Sequence, residues 1–207
     1  DAVGKDLKIV YTPLRGTGNI PARRILKELG FENVYVVKEQ ELPDGHFPTC
    51  PYPNPEIRQV FEKALDMAKE TQPDLLLATD PDCDRVGIAV RDNGKYTLMS
   101  GNEVGCLLLN YLLSRRLAEN TLPDQPMIVK TIVTSDLAAR IAQKYGCRVV
   151  EVLTGFKYIG EQIGLLEKEG YPERYVFGFE ESYGYLAVTY VRDKDAVVAS
   201  MLICEMT

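Results

Sequence analysis

Hydrophobic residues along this chain fall into two alternating patterns. "LKIVYT" (7–12), "NVYVV" (33–37) and "DLLLAT" (74–79) are short apolar runs bounded by turn residues, which predicts buried strands. Between the first two, "IPARRILKELG" (20–30) sets Ile25, Leu26 and Leu29 along one side and ends at Gly30, the pattern of an amphipathic helix with its stop signal. Residues 38–55 are too rich in Pro and Gly for regular structure. A helix over 56–70 follows, entered through Asn54-Pro55. Residues 85–100 then read as a hairpin with Asp92-Asn93-Gly94 at its turn.

The order then begins again. A long helix is expected over 101–120 and a strand over 127–133, after which Ser135 caps a helix over 136–146. A strand over 148–153 and a helix over 157–170 come next. A strand pair broken by a polar turn (175–188) and a helix over 195–206 complete the series. The pattern predicts an α/β protein of two consecutive compact domains, residues 1–99 and 100–207, each a mixed sheet flanked by helices. The halves share element order and no sequence repeat. The chain opens at the edge of a strand and stops inside an expected helix, so it reads as a piece of a longer protein.

Composition narrows the classes. With 207 residues, the chain is long enough for two domains that each bury a core. A net charge of −6 argues against nonspecific binding to nucleic acid or an anionic membrane. No apolar run reaches the ~20 residues of a membrane span, and no signal peptide is visible. The five cysteines (50, 83, 106, 147, 204) are far apart and form no C-x-x-C pair, and His46 is the only histidine. A disulfide framework and a zinc site are both disfavoured, and a reducing cytoplasm fits best. A Ser-His-Asp site would require His46, which stands beside Gly45 in the Pro-rich loop.

Three stretches carry candidate chemistry, each at a loop after a strand, where open α/β sheets bind ligands. The first is Asp80-Pro81-Asp82-Cys83-Asp84-Arg85. Three close carboxylates repel one another unless a hard dication sits among them. Mg²⁺ suits them, since it takes oxygen ligands in octahedral array and keeps positions for water or phosphate. A solvated acidic turn is the plain alternative. An EF-hand is excluded, because Arg85 and Arg91 occupy the positions that need Gly and Glu. A haloacid-dehalogenase phosphatase with Asp80 as nucleophile also places D-x-D after an apolar strand and stays open.

The second stretch is Gly178-Phe179-Glu180-Glu181-Ser182-Tyr183-Gly184. A carboxylate and a hydroxyl two residues apart can grip neighbouring sugar hydroxyls. An ordinary polar hairpin turn would look the same. The third comprises Lys130, in the apolar strand "IVKTIV", and Lys157, after Gly155 at a helix start. Lys130 must snorkel out or meet an anion. A cation at Lys157 opposes the helix dipole unless an anion binds there. Either lysine could equally reach solvent. The Gly16-Thr17-Gly18 turn lacks the third glycine of a dinucleotide fingerprint, because Pro21 stands in its place.

Together these residues resemble the α-D-phosphohexomutase family, the phosphoglucomutases and phosphomannomutases. Asp80 to Arg85 match its D-x-D-x-D-R metal loop. "GFEESYGY" matches its G-E-x-S-G sugar loop in Glu180 and Ser182, with Tyr183 inserted before the family glycine. "YTPLRGTG" (11–18) resembles the opening of the family's second domain, with Arg15 where His or Asn is usual. "PDGHFPTCPYPNPE" (43–56) and "LTGFKYIG" (153–160) resemble the phosphoglucomutase branch.

The resemblance implies a four-domain enzyme of which this chain is similar to domains two and three. Such an enzyme interconverts hexose 1-phosphate and hexose 6-phosphate through a hexose 1,6-bisphosphate. Its first domain carries a phosphoserine and its fourth a phosphate-clamping loop. No serine here is followed by His-Asn, so this fragment is expected to be inactive alone. By the same resemblance, Asp80, Asp82 and Asp84 hold Mg²⁺, and Glu180 and Ser182, with Gly155, hold the sugar. Lys130 or Lys157 handles the hydroxyl proton or pairs with phosphate, and Arg85 orients substrate. A noncatalytic sugar-phosphate binding module is the further alternative.

Overall fold

The computed structural model describes residues 2–207 and divides into two compact units. One runs to Met99 and also takes in Ala196–Thr207, while the other is Ser100–Asp195. In the first unit, helix α1 (Ala2–Asp6) precedes strand β1 (Lys8–Thr12), helix α2 (Asn19–Glu28), strand β2 (Asn33–Val36) and the short helix α3 (Lys38–Glu41). A 3-10 turn (Arg58–Phe61) leads into helix α4 (Glu62–Thr71), followed by strands β3 (Leu75–Thr79), β4 (Val86–Asp92) and β5 (Lys95–Met99). The sheet order is β2-β1-β3-β4-β5. β2, β1 and β3 run parallel, and β4 and β5 are added antiparallel.

All five residues of β3 are buried, which explains its unbroken apolar run. One core joins Val10, Leu76, Ala78 and Ala89 of the sheet to Phe61, Ala64 and Ala68 of the 3-10 turn and α4. The last helix, α8 (Ala196–Met206), packs on α2, β3 and β4. By packing, these last residues therefore group with the first unit.

The second unit begins with helix α5 (Gly101–Ala118), closed at its start by a capping box between Ser100 and Glu103. Strand β6 (Met127–Thr131), helix α6 (Asp136–Lys144), strand β7 (Arg148–Val152), helix α7 (Phe156–Glu169), strand β8 (Tyr175–Glu180) and strand β9 (Gly184–Leu186) follow. The order is β7-β6-β8-β9, parallel except for β9. Met127, Val129, Phe156, Ile159 and Ile163 build the core between the sheet and α7. Each unit is thus a mixed sheet flanked by helices.

Two short α-helices, and a 3-10 turn at Pro172–Arg174, were missed from the pattern. α1 and α3 are one-turn helices, too short to show a period. α3 is held by tertiary contacts instead: Thr12 Oγ1 donates to the buried Gln40 Oε1 at 2.8 Å. The helix expected from residue 56 begins as the 3-10 turn and becomes α-helical only at Glu62.

Candidate functional site

In the first unit, β1 and β3 are parallel neighbours, so their carboxyl ends open on the same edge. The loop after β3 is built by a turn in which Cys83 N–H donates to the Asp80 carbonyl at 3.0 Å. Pro81 fixes the second position of that turn, and Cys83 takes a left-handed φ of 61°. The Asp80 Oδ1 atom accepts the N–H groups of Asp84 (3.0 Å) and Arg85 (2.8 Å), which orients its carboxylate. The neighbouring loop braces this turn from outside: Thr17 donates to the Pro81 carbonyl through its N–H (2.8 Å) and its hydroxyl (3.0 Å).

One carboxylate oxygen from each of Asp80, Asp82 and Asp84 lies within 4.8 Å of the others. Asp80 is buried, Asp84 half-buried and Asp82 exposed. Burial pushes the Asp80 carboxyl up to about 7; the Arg85 N–H opposes this, and the charges of Asp84 and Asp82 add to it. Three oxygens this close, one of them unfavourable as an anion, fit a hard divalent cation. Arg85 divides its charge between Glu56 and the edge of the cluster at Asp84. Its Nη1 pairs with Glu56 Oε1 at 3.0 Å, and its Nε stands 3.9 Å from Asp84.

The raised Asp80 carboxyl has a consequence for stability. Its folded value lies above its unfolded one, so the folded state holds this proton more tightly. That contribution is complete below about pH 4 and is lost as pH rises through about 7. Asp80→Asn keeps an oxygen for both backbone donors and removes the charge. Without metal it should stabilise the protein by about 2 kcal/mol at pH 8, after allowance for solvent screening, and hardly at all at pH 4. Thermal unfolding in chelator at the two pH values checks this.

In the second unit, the turns after β6, β7 and β8 share one edge. Glu180 ends β8 and is 5% exposed; its Oε1 accepts the Gly155 N–H at 2.8 Å. Ser182 is half-buried in the turn to β9. Gly155 has φ 126°, ψ 121°, a conformation that glycine alone adopts without strain. An added Cβ there would meet only the Tyr158 ring at 3.6 Å, so the penalty is in the backbone. Gly155→Ala should lower the denaturation midpoint of this unit by an amount equivalent to about 1–3 kcal/mol, at unchanged denaturant slope.

The two lysines separate. Lys157, in the first turn of α7, is exposed, with its Nζ 4.9 Å from the Tyr158 ring centre. Lys130 is wholly buried. Its Nζ donates to the carbonyls of Thr131 (3.2 Å) and Thr134 (2.9 Å) and pairs with Glu151 Oε1 at 3.0 Å, the residue opposite it on β7. An ammonium has three donors, and here each has a protein acceptor. In this structure all three donors of the amine are therefore taken up by the protein.

The sequence assigns no role of their own to Thr17, Glu56, Thr131, Thr134 and Glu181. Each is a polar residue whose partner is distant in the chain, so no local pattern marks it.

Two family models match the chain: phosphoglucomutase/phosphomannomutase alpha/beta/alpha domain II over residues 2–94, and domain III over residues 100–207. The chain belongs to the phosphoglucomutase/phosphomannomutase family. Over its whole length it is 41% identical to a phosphoglucomutase of Staphylococcus haemolyticus, covering 37% of that protein. It is 40% identical to a phosphoglucomutase of Staphylococcus aureus over 93% of this chain and 34% of the relative. The chain thus spans about a third of the length of these relatives. Among solved structures, a putative phosphomannomutase from Thermus thermophilus matches 98% of this chain and 42% of its own, with TM-score 0.77 and 25% identity. As a phosphoglucomutase/phosphomannomutase chain, it leaves the haloacid-dehalogenase reading without support. Among the described residues, no helix is long and apolar enough to cross a membrane.

Proposed function

We propose that the intact protein is a phosphohexomutase, converting hexose 1-phosphate to hexose 6-phosphate through a hexose 1,6-bisphosphate. The observation that carries this reading is the acidic triad after β3, in a chain of this family, with one oxygen from each aspartate within 4.8 Å of the others. Asp80, Asp82 and Asp84 would hold Mg²⁺, which when bound supplies positive charge beside a transferring phosphoryl group.

The protein's own residues supply the rest. The backbone donors on Asp80 and the brace from Thr17 keep the carboxylates in place. Arg85, fixed by Glu56, orients a phosphate. Glu180 and Ser182 accept and donate hydrogen bonds to sugar hydroxyls. A loop that reads hydroxyls rather than phosphates can hold the bisphosphate in either orientation, which a mutase requires. Lys157, exposed at a helix N-terminus, is the cation placed to meet phosphate or to carry the hydroxyl proton. The phosphoryl-donating serine and the phosphate clamp belong to domains of the intact protein outside this chain, and the reaction is assigned to the cytoplasm.

The test is product analysis. The intact protein, given glucose 1-phosphate, Mg²⁺ and the bisphosphate, should yield hexose 6-phosphate without net release of inorganic phosphate. Phosphate release in place of isomerisation would mean a phosphatase. Binding without turnover would mean a noncatalytic module. Running mannose 1-phosphate alongside assigns the preferred hexose.

A further inference from the structure

Glu181 stands in sequence between the two residues proposed to read the sugar, and its carboxylate is engaged elsewhere. Its Oε2 lies 3.2 Å from Thr131 Oγ1 and 3.3 Å from Thr134 Oγ1. The two hydroxyls are 2.8 Å apart and both threonines are buried. Two hydroxyls have two protons between them. One therefore bonds the partner hydroxyl and the other bonds the carboxylate, forming a chain whose bonds strengthen one another.

That chain rests on a rigid base. Lys130 holds the carbonyls of the same two threonines from within the unit. Asn102 Oδ1, in the first turn of α5, accepts the Ser135 N–H at 2.9 Å, which fixes the far end of the β6–α6 turn. α5 also abuts the Glu181 backbone: a Cβ added to Gly101 would lie 2.0 Å from the Glu181 carbonyl oxygen. On the other side of the loop, Glu180 is tied to Gly155.

We propose that Glu181 is a positioning residue: it clamps the sugar loop to the β6–α6 turn, so that Glu180 and Ser182 present their oxygens to a hexose phosphate in one fixed geometry. The buried Lys130 is the base of this clamp. The inference rests on the reading of Glu180 and Ser182 as the hydroxyl-binding pair. Preorganisation of this kind improves binding by removing the entropy of ordering the loop when the ligand arrives.

The experiment uses the intact protein with Glu181→Ala, Glu181→Gln and, as a control on the sugar-loop reading, Glu180→Ala. Glu181→Ala should raise KM for glucose 1-phosphate on the order of tenfold, with kcat within about threefold and Mg²⁺ dependence unchanged. Glu181→Gln should restore KM, because its Oε1 still accepts the threonine proton. Unchanged KM in Glu181→Ala would overturn the proposal. So would a fall in kcat alone that tracks loss of folded protein and is not rescued by Gln. If Glu180→Ala leaves KM unaltered, the sugar-loop assignment fails, and the clamp proposal fails with it. A Glu180 effect without a Glu181 effect overturns the clamp alone.

Discussion

Asp82→Asn in the intact protein should reduce kcat/KM for hexose 1-phosphate by on the order of a thousandfold, the scale at which loss of an electrostatic partner to a transferring group is felt. Asp82 is the exposed member of the triad, so the substitution leaves packing alone. It removes a charge and an oxygen ligand from the cation site while Asp80 keeps its two backbone donors. Folding should therefore be preserved, and part of the activity should return at high Mg²⁺. Steady-state kinetics over a Mg²⁺ series, beside a melting curve, checks both. Activity above about a tenth of wild type would mean that this loop does not hold the metal.

Glu180→Gln should act on the sugar instead. The amide retains an oxygen for the Gly155 N–H, so the loop keeps its tie. The other carboxylate oxygen becomes an NH₂ group, which cannot accept from a sugar hydroxyl. A hydrogen bond to a charged acceptor is worth roughly 1.5–3 kcal/mol, so kcat/KM should fall about ten- to a hundredfold. Ser182→Ala removes a neutral partner and should cost less. Kinetics of both variants with glucose 1-phosphate checks the order; a larger loss for Ser182→Ala would reverse the roles assigned here.

Most of the fold was legible because most strands are short apolar runs and α2, α4, α6 and α7 each carry one apolar face. β3 reads plainly because all its residues are buried, and the β4–β5 hairpin because Asn93-Gly94 turns it. α3 was not legible, since its stability lies in Gln40 meeting Thr12 across the unit. The end of the chain was legible as a helix, but its packing was not: α8 is apolar on most sides, and its partners are α2, β3 and β4.

The candidate site divides in the same way. Asp80, Asp82, Asp84, Glu180 and Ser182 announce themselves by clustering within a few positions. Lys130 suggests a ligand because it is a charged residue in an apolar strand; in the structure Glu151 on the neighbouring strand and two carbonyls meet it. Glu151 follows "RVV" in another segment, so only the β6–β7 register brings the pair together. Glu181 received no role of its own for a related reason. Beside Glu180 it looks like a second surface acid, and its threonine partners lie some fifty positions away.

The central claim is that the aspartate loop serves the metal and the Glu180 loop serves the sugar. The most direct test titrates Mg²⁺ and hexose 1-phosphate separately into intact wild type, Asp82→Asn and Glu180→Gln at equilibrium. The expected result is that Asp82→Asn loses Mg²⁺ affinity while Glu180→Gln keeps it, and that Glu180→Gln loses the larger share of sugar-phosphate affinity. The contrary result, Mg²⁺ binding lost in Glu180→Gln and retained in Asp82→Asn, would contradict the assignment of both loops.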